Sequence, residues 1–315
     1  MTPVKPSSVA AVDCGTNSTR LLVARADGST IERLMQITRL GEGVDRTGRL
    51  KTEAINRTMA TLVGFRETMR AAGVTAVMAT ATSAVRDASN AAEFLDQAEE
   101  VIGVRPRVLP GDEEGRLSYR GATAELDGEG GPYLVVDIGG GSTELVTTTA
   151  TTTTTAAGGV EAVSLDVGCV RVTERWLASD PPTASELGAA RAQIAGLVRE
   201  AAAEHPAFAA AKGLIGLAGT VSALTRLNLA LVTYDRAAIH HASLTLRDIE
   251  RLTSELAAIR LEARRQLSGM ERDRADVLIG GALVLGTVMT ELGYDELMAS
   301  ESDILDGIVA GLLDS

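Results

Sequence analysis

The sequence predicts an α/β protein built on a duplicated strand–turn–strand unit, and three observations carry that reading. Asp13-Cys-Gly-Thr-Asn-Ser-Thr-Arg-Leu-Leu22 aligns without gaps on Asp137-Ile-Gly-Gly-Gly-Ser-Thr-Glu-Leu-Val146, with Asp, Gly, Ser, Thr and Leu at the same offsets. In each copy a short apolar run ends in the Asp, and a second run follows a turn of small residues. Between and after the copies, apolar residues recur at spacings of three and four, the period of an amphipathic helix. Self-similarity at this level marks a duplicated domain, and strands mixed with helices in two similar halves mark the α/β class.

The elements follow in order. Ser8–Asp13 and Thr19–Ala26 read as strands flanking the first turn. Glu53 to Ala72 reads as a helix, with Ile55, Met59, Leu62, Val63 and Met69 at helical spacing and Gly73 as its stop. Val74–Thr80 is a strand, 90–101 a helix, and Tyr133–Asp137 with Thr143–Thr148 the second strand pair. Strands near Val163–Leu165 and Leu214–Leu217 follow, with helices over 185–204, 245–259, 273–292 and 303–313. Thr245-x-x-Asp248 is a helix-start signal. The threonine tract Thr147–Thr155 reads as a hairpin loop that tolerates insertion and offers no chemistry.

Composition excludes several classes of function. The 315 residues hold 42 acidic and 30 basic side chains, a net charge of -12. A general nucleic-acid or anionic-membrane binder needs a basic surface, so no nucleic acid and no membrane are expected as partners. The charge is uneven: residues 1–51 carry eight basic against five acidic groups, whereas the surplus acid lies after residue 130. Cys14 and Cys169 are too few for a disulfide framework or a zinc site and read as free thiols of a reducing, cytoplasmic compartment. The N-terminus lacks the apolar run of a signal peptide, and Val277–Thr290 is too short and glycine-rich for a membrane span.

The chemistry-bearing residues gather at turns. Both Asp-led turns combine glycine, which lets backbone N–H groups approach an anion, with small hydroxyls that add donors. An Asp at the rim could hold a metal or its water. Neither a Walker lysine nor a dinucleotide fingerprint is present. Gly111-Asp-Glu-Glu114-Gly reads as a solvated acidic loop or, beside a phosphate, as the source of a general base. Thr80 to Arg86 adds hydroxyls and a guanidinium whose planar fork suits phosphate. Gly216-Leu-Ala-Gly219-Thr220 reads equally as a packing turn and as a helix-start anion site. His240-His241 has no third residue at metal-ligand spacing, which favours structural histidines.

With these motifs in place, the chain resembles the exopolyphosphatase/guanosine pentaphosphate phosphatase family of the actin, sugar kinase and heat-shock chaperone superfamily. The resemblance rests on VDCGTNSTRLLV, TATSAVRDASN, LPGDEEGRLSYRG, VVDIGGGSTELV, SLDVGCVRVTE, LIGLAGTVSAL, HHASLT and ERDRADVLIGGALVL, in family order across nearly the whole chain. It implies two similar actin-like, ribonuclease H-like domains with an active-site cleft between them. Domain I would comprise residues 1–130 plus a returning C-terminal helix over 299–315, and domain II residues 131–298. The chain resembles the short members, which lack added C-terminal helical domains.

The resemblance also implies roles. Glu114 matches the family's catalytic glutamate, with Asp137, Glu144 and Arg86 as further catalytic residues. Gly15, Thr16, Asn17 and Ser18 match the first phosphate loop; Gly139, Gly140, Gly141, Ser142 and Thr143 match the second. Asp13, Asp137 and Glu144 would hold Mg²⁺ or Mn²⁺. The implied reaction is attack of water on the terminal phosphorus of inorganic polyphosphate, with release of orthophosphate. Hydrolysis of guanosine pentaphosphate by the same clamp, or a polyphosphate- or nucleotide-binding sensor without turnover, are the alternatives. A homodimer is expected by analogy. Arg20, Arg39, Arg46, Arg49, Lys51, Arg86, Arg116 and Arg120 are the candidates for a basic strip that would hold the polyanion on an acidic body.

Overall fold

A computed structural model describes residues 7–126, 130–148 and 159–314; most of the expected threonine-tract loop lies outside them. The chain forms two compact units, one of residues up to 121 together with 304 onward, the other of residues 122–303. The expected crossings were 130/131 and 298/299. Ala299 and Ser300 stay with the second unit because its backbone claims them: His241 N–H donates to Ala299 O, Ala299 N–H to Ala242 O and Ser300 N–H to Gly216 O.

The first unit holds a five-stranded sheet of β1 (Ser8–Cys14), β2 (Ser18–Arg25), β3 (Thr30–Ile37), β4 (Ala76–Ala81) and β5 (Arg107–Val108), in the order β3-β2-β1-β4-β5. β1, β2 and β3 pair antiparallel, while β4 and β5 add in parallel. β1 is buried along its whole length, as a central strand covered on both faces must be. The period of two splits its side chains cleanly. Ala10, Val12 and Cys14 join Leu21 and Val23 in a core with Leu62 and Phe65 of helix Thr52–Ala71 and Phe94 of helix Ala91–Ile102. Val9 and Ala11 face the other way with Leu22 and Ala24, against Ile304, Leu305 and Ile308 of the last helix, Ile304–Leu313. The C-terminal helix thus closes the second face of the first sheet.

The second unit repeats the plan. β6 (Tyr133–Ile138), β7 (Thr143–Thr148), β8 (Val160–Leu165), β9 (Gly213–Leu217), β10 (Ser243–Thr245) and β11 (Glu296–Ala299) run β10-β11-β9-β6-β7-β8. β6, β7 and β8 pair antiparallel; β9 and β11 add in parallel. Three antiparallel strands followed by two parallel ones, twice over, is the ribonuclease H-like arrangement of actin-type proteins. β10, antiparallel to β11, extends the second copy. Helix Leu278–Leu292 is buried nearly all round, so the long apolar run of the sequence is the centre of a unit core. Among the described residues no helix is long and apolar enough to cross a membrane.

Candidate active site

In the first unit, β1 turns into β2 through Gly15, Thr16 and Asn17. Gly15 N–H donates to Ser18 O at 3.0 Å and closes the turn. Its carbonyls are held from behind: Asn17 O accepts from the Thr38 and Arg39 amides, and Thr16 O from the Gly41 amide at 2.8 Å. Thr16 Oγ1 accepts from Ala84 N–H at 3.2 Å, which ties the turn to the short helix Ser83–Arg86. Asn17 is only 6% exposed, and its Nδ2 has no hydrogen-bond partner. A buried amide donor left unsatisfied costs on the order of 1–3 kcal/mol, a penalty that an anionic ligand would remove.

Arg86 ends that short helix. Its Nη1 donates to Leu109 O at 2.8 Å and meets Glu114 Oε2 at 3.4 Å. Glu114 lies in the first turn of helix Gly111–Thr123 with Asp112 and Glu113, where the positive end of the helix dipole favours carboxylates. The acidic run is therefore a helix start and not a loop. Asp13, 2% exposed, stands directly opposite Arg20 across β1 and β2. Arg20 gives Asp13 Oδ2 two bonds, from Nη2 at 2.8 Å and Nε at 3.2 Å, and Thr80 Oγ1 gives one to Oδ1.

The second unit carries the same turn. Gly139 N–H donates to Ser142 O at 3.0 Å, the counterpart of the Gly15–Ser18 bond. Gly139 O accepts from the Cys169 amide, and Gly140 O from the Val170 and Arg171 amides. These three residues open helix Cys169–Trp176, so its first amides grip the loop's carbonyls. Thr143 Oγ1 donates to Val167 O at 2.5 Å. Asp137 and Glu144 are register partners across β6 and β7, 7% and 1% exposed, and Ser164 Oγ donates to Glu144 Oε1 at 2.7 Å. Here two acids stand where the first unit has an acid and an arginine.

A model of the Ppx/GppA phosphatase family matches residues 22–315. The chain belongs to that family. It is 40% identical to exopolyphosphatase 2 of Mycobacterium tuberculosis, over 96% of this chain and 98% of that protein. A crystal structure of an exopolyphosphatase-like protein superposes with a TM-score of 0.90 at 36% identity, covering 96% of this chain and 98% of the other. The Aquifex aeolicus member of the Ppx/GppA family superposes with a TM-score of 0.78 at 29% identity, covering 98% of each chain.

Within this Ppx/GppA chain, the first unit gathers Asp13, Gly15–Ser18 and, through Thr16 and Ala84, Arg86 with Glu114. The second gathers Asp137, Gly139–Thr143 and Glu144. Sequence reasoning assigned no role to Gly168, which backs the second loop, or to Arg171 and Arg274, which are 9% and 7% exposed. Arg274 Nε bonds Glu271 Oε2 at 2.8 Å. A buried arginine needs a partner or an anion, but burial is not visible in a motif. Most of the basic residues expected to form a strip are engaged by acids: Arg20 by Asp13, Lys51 by Glu42, Arg86 by Glu114, Arg116 by Asp112, and Arg120 by Asp314. Both thiols are buried; burial pushes Cys169 up to about 11, and burial together with Asp13 pushes Cys14 higher still. Neither is a nucleophile.

Proposed function

We propose that this chain is an exopolyphosphatase, which removes the terminal phosphate of inorganic polyphosphate as orthophosphate. One observation carries the reading: Glu114 is held by Arg86 at a helix start, tied through Thr16 to a phosphate-type turn whose buried Asn17 amide has a donor to spare. In the proposed step the oxygen of a water attacks the terminal phosphorus and the bridging P–O bond breaks. Glu114 takes the water's proton, and the shortened chain leaves with the electron pair. Arg86 stabilises the transferring phosphoryl, and the amides of each turn offer donors to phosphate oxygens, where positioning and electrostatics supply most of the acceleration.

Asp137 and Glu144 fit a hard divalent cation. They share one register position on adjacent strands and are nearly buried, and carboxylate oxygens are the ligands such an ion takes. They would hold Mg²⁺ or Mn²⁺, which supplies polarisation of phosphate oxygens when bound. Asp13, expected as a third metal ligand, already gives both oxygens to Arg20 and Thr80, so we assign it to holding Arg20. A cytoplasmic location is in keeping with two buried free thiols.

The test is orthophosphate release from polyphosphates of defined length and from guanosine pentaphosphate, at matched concentration with Mg²⁺ or Mn²⁺. Polyphosphate should be the better substrate. Glu114→Gln should lower the rate by about 10²–10⁴ while substrate still binds. Preference for guanosine pentaphosphate, or near-normal release by the variant, would overturn the substrate or the base respectively.

A further inference from the structure

His240 and His241 have no metal-ligand spacing in the sequence, yet the fold brings a third ligand to them. Glu125, His240 and His241 each present a ligand atom, and the three atoms lie within 4.8 Å of one another. His240 Nε2 stands 3.0 Å from Glu125 Oε2, and the two imidazoles stack with centroids 3.8 Å apart. The pair is deliberately placed. His241 sits at φ 64, a left-handed conformation uncommon for any residue with a side chain, and its N–H is fixed on Ala299 O at 2.7 Å. Glu301 N–H donates to His240 Nδ1 at 3.0 Å and orients that ring.

We propose that Glu125, His240 and His241 form a site for a divalent transition metal of the Zn²⁺, Ni²⁺ or Co²⁺ class. Two imidazoles and one carboxylate suit these borderline ions better than Mg²⁺ or Ca²⁺. Metal–ligand bonds of about 2.0–2.2 Å require the three atoms to readjust around the ion and the stacked rings to fan apart, which exposed Glu125 and His241 can do. Two neighbouring charges bear on the site. Arg236, bonded to Ser302 Oγ, opposes a cation. Glu301, next to the His240 ring through its N–H and bearing its carboxylate on Tyr234, carries the opposite sign. Coordination through His240 Nε2 has a stated consequence. With Nδ1 accepting from Glu301, the neutral ring carries its proton on Nε2; on binding, that proton leaves to solvent, Nδ1 takes one up, and the Glu301 N–H bond is lost.

The experiment titrates Zn²⁺, Ni²⁺ and Co²⁺ into the tag-free chain by calorimetry, in excess Mg²⁺ so that the paired acids Asp137 and Glu144 do not compete. Binding of one ion per chain is expected, with a Co²⁺ visible absorption band. Glu125→Gln keeps an acceptor for His240, and His241→Asn keeps a residue that tolerates positive φ. Both should leave the urea midpoint without metal unchanged and weaken binding by about 10–100-fold, the range for losing even an outer partner of a metal site. Zn²⁺ should also speed hydrogen exchange at the Glu301 amide. Absence of binding by the wild type, equal affinity in both variants, or an unchanged Glu301 amide would each overturn the proposal. The site stands independently of the exopolyphosphatase reading, since no readout depends on phosphate release.

Discussion

Replacing Gly168 by alanine should cost this protein most of its turnover and part of its stability, and the structure says how. The backbone at Gly168, with φ -146 and ψ 174, is open to any residue. The obstacle is space. An added Cβ would stand 2.6 Å from Gly140 C and O and 2.7 Å from Gly139 O, whereas carbon contacts settle at about 3.5–4.0 Å. All three atoms are backbone of the second turn, so no side chain can swing aside. The turn must retreat by roughly 0.9 Å or more to reach ordinary contact, against the amides of Cys169, Val170 and Arg171 that clamp it. Overpacking of this kind costs about 1–3 kcal/mol, and a misplacement approaching 1 Å costs on the order of 10²-fold in rate. The assay is kcat and KM for orthophosphate release, with urea unfolding alongside. Gly196→Ala is the control: it lies within helix Ala184–Glu204 with nothing within 4 Å of its Cβ, and should stabilise by about 0.5–1 kcal/mol without touching turnover. Gly168→Ala turning over within about threefold of wild type would refute the claim that this turn's position sets the rate.

Asn17→Ala should lower kcat/KM by about tenfold or more without lowering the unfolding free energy, because Nδ2 makes no internal bond to lose and its unmet burial penalty of about 1–3 kcal/mol goes with it; a large loss of stability would contradict this. Glu186, which closes the capping box of helix Ala184–Glu204, is held down to about 2 by hydrogen bonds from Thr183 and Ser179. A depressed carboxylate stabilises above its ordinary value of 4.5 and loses that contribution as pH falls through about 2. Its carboxyl carbon should therefore titrate near 2 by NMR, and a midpoint near 4.5 would break the argument. Cys14 and Cys169 should resist a thiol-specific chromogenic reagent at pH 8 in the native state and react fully in denaturant, since both are buried with thiols pushed up; rapid native labelling would place one of them at the surface.

The duplication was legible because it is written twice at the same offsets, and the matching Gly15–Ser18 and Gly139–Ser142 bonds are its physical content. Several elements were not legible, among them β5, helix Cys169–Trp176, β10 and β11, and two more show different reasons. β3 is an edge strand of exposed and half-buried residues with none buried, and its Thr-Ile-Glu-Arg-Leu-Met-Gln-Ile run lacks the clean alternation of a half-buried strand. Helix Gly111–Thr123 buries Gly115, Ser118, Tyr119 and Ala122, at helical spacing but mostly with small side chains. A search for apolar periodicity passes over such a face. The metal-ligand triad was invisible for a third reason: Glu125 is 115 residues from His240, and only the fold closes that gap. Helix starts fared better where the cap was in the sequence, as Thr245 and Asp248 form the reciprocal box they spell.

The deepest difference between the two copies is a single register position. Asp13 faces Arg20 across β1 and β2, and Asp137 faces Glu144 across β6 and β7. Directly opposite residues bring their Cβ atoms to about 4.5–5.5 Å, where two unit charges at an effective dielectric of 20 interact by roughly 3–4 kcal/mol. The sign of that interaction is what changed. In the first copy it is attractive, and arginine neutralises the acid on the spot. In the second both register partners are acids, and Ser164 Oγ donates to Glu144. One turn thus pairs its acid with an arginine, and the other sets two acids at one register position. The same pairing explains why net charge was a poor guide to partners. A total of -12 sums over arginines already matched to acids, whereas the proposed recognition draws on groups such as the Asn17 amide, whose Nδ2 folding leaves without a match.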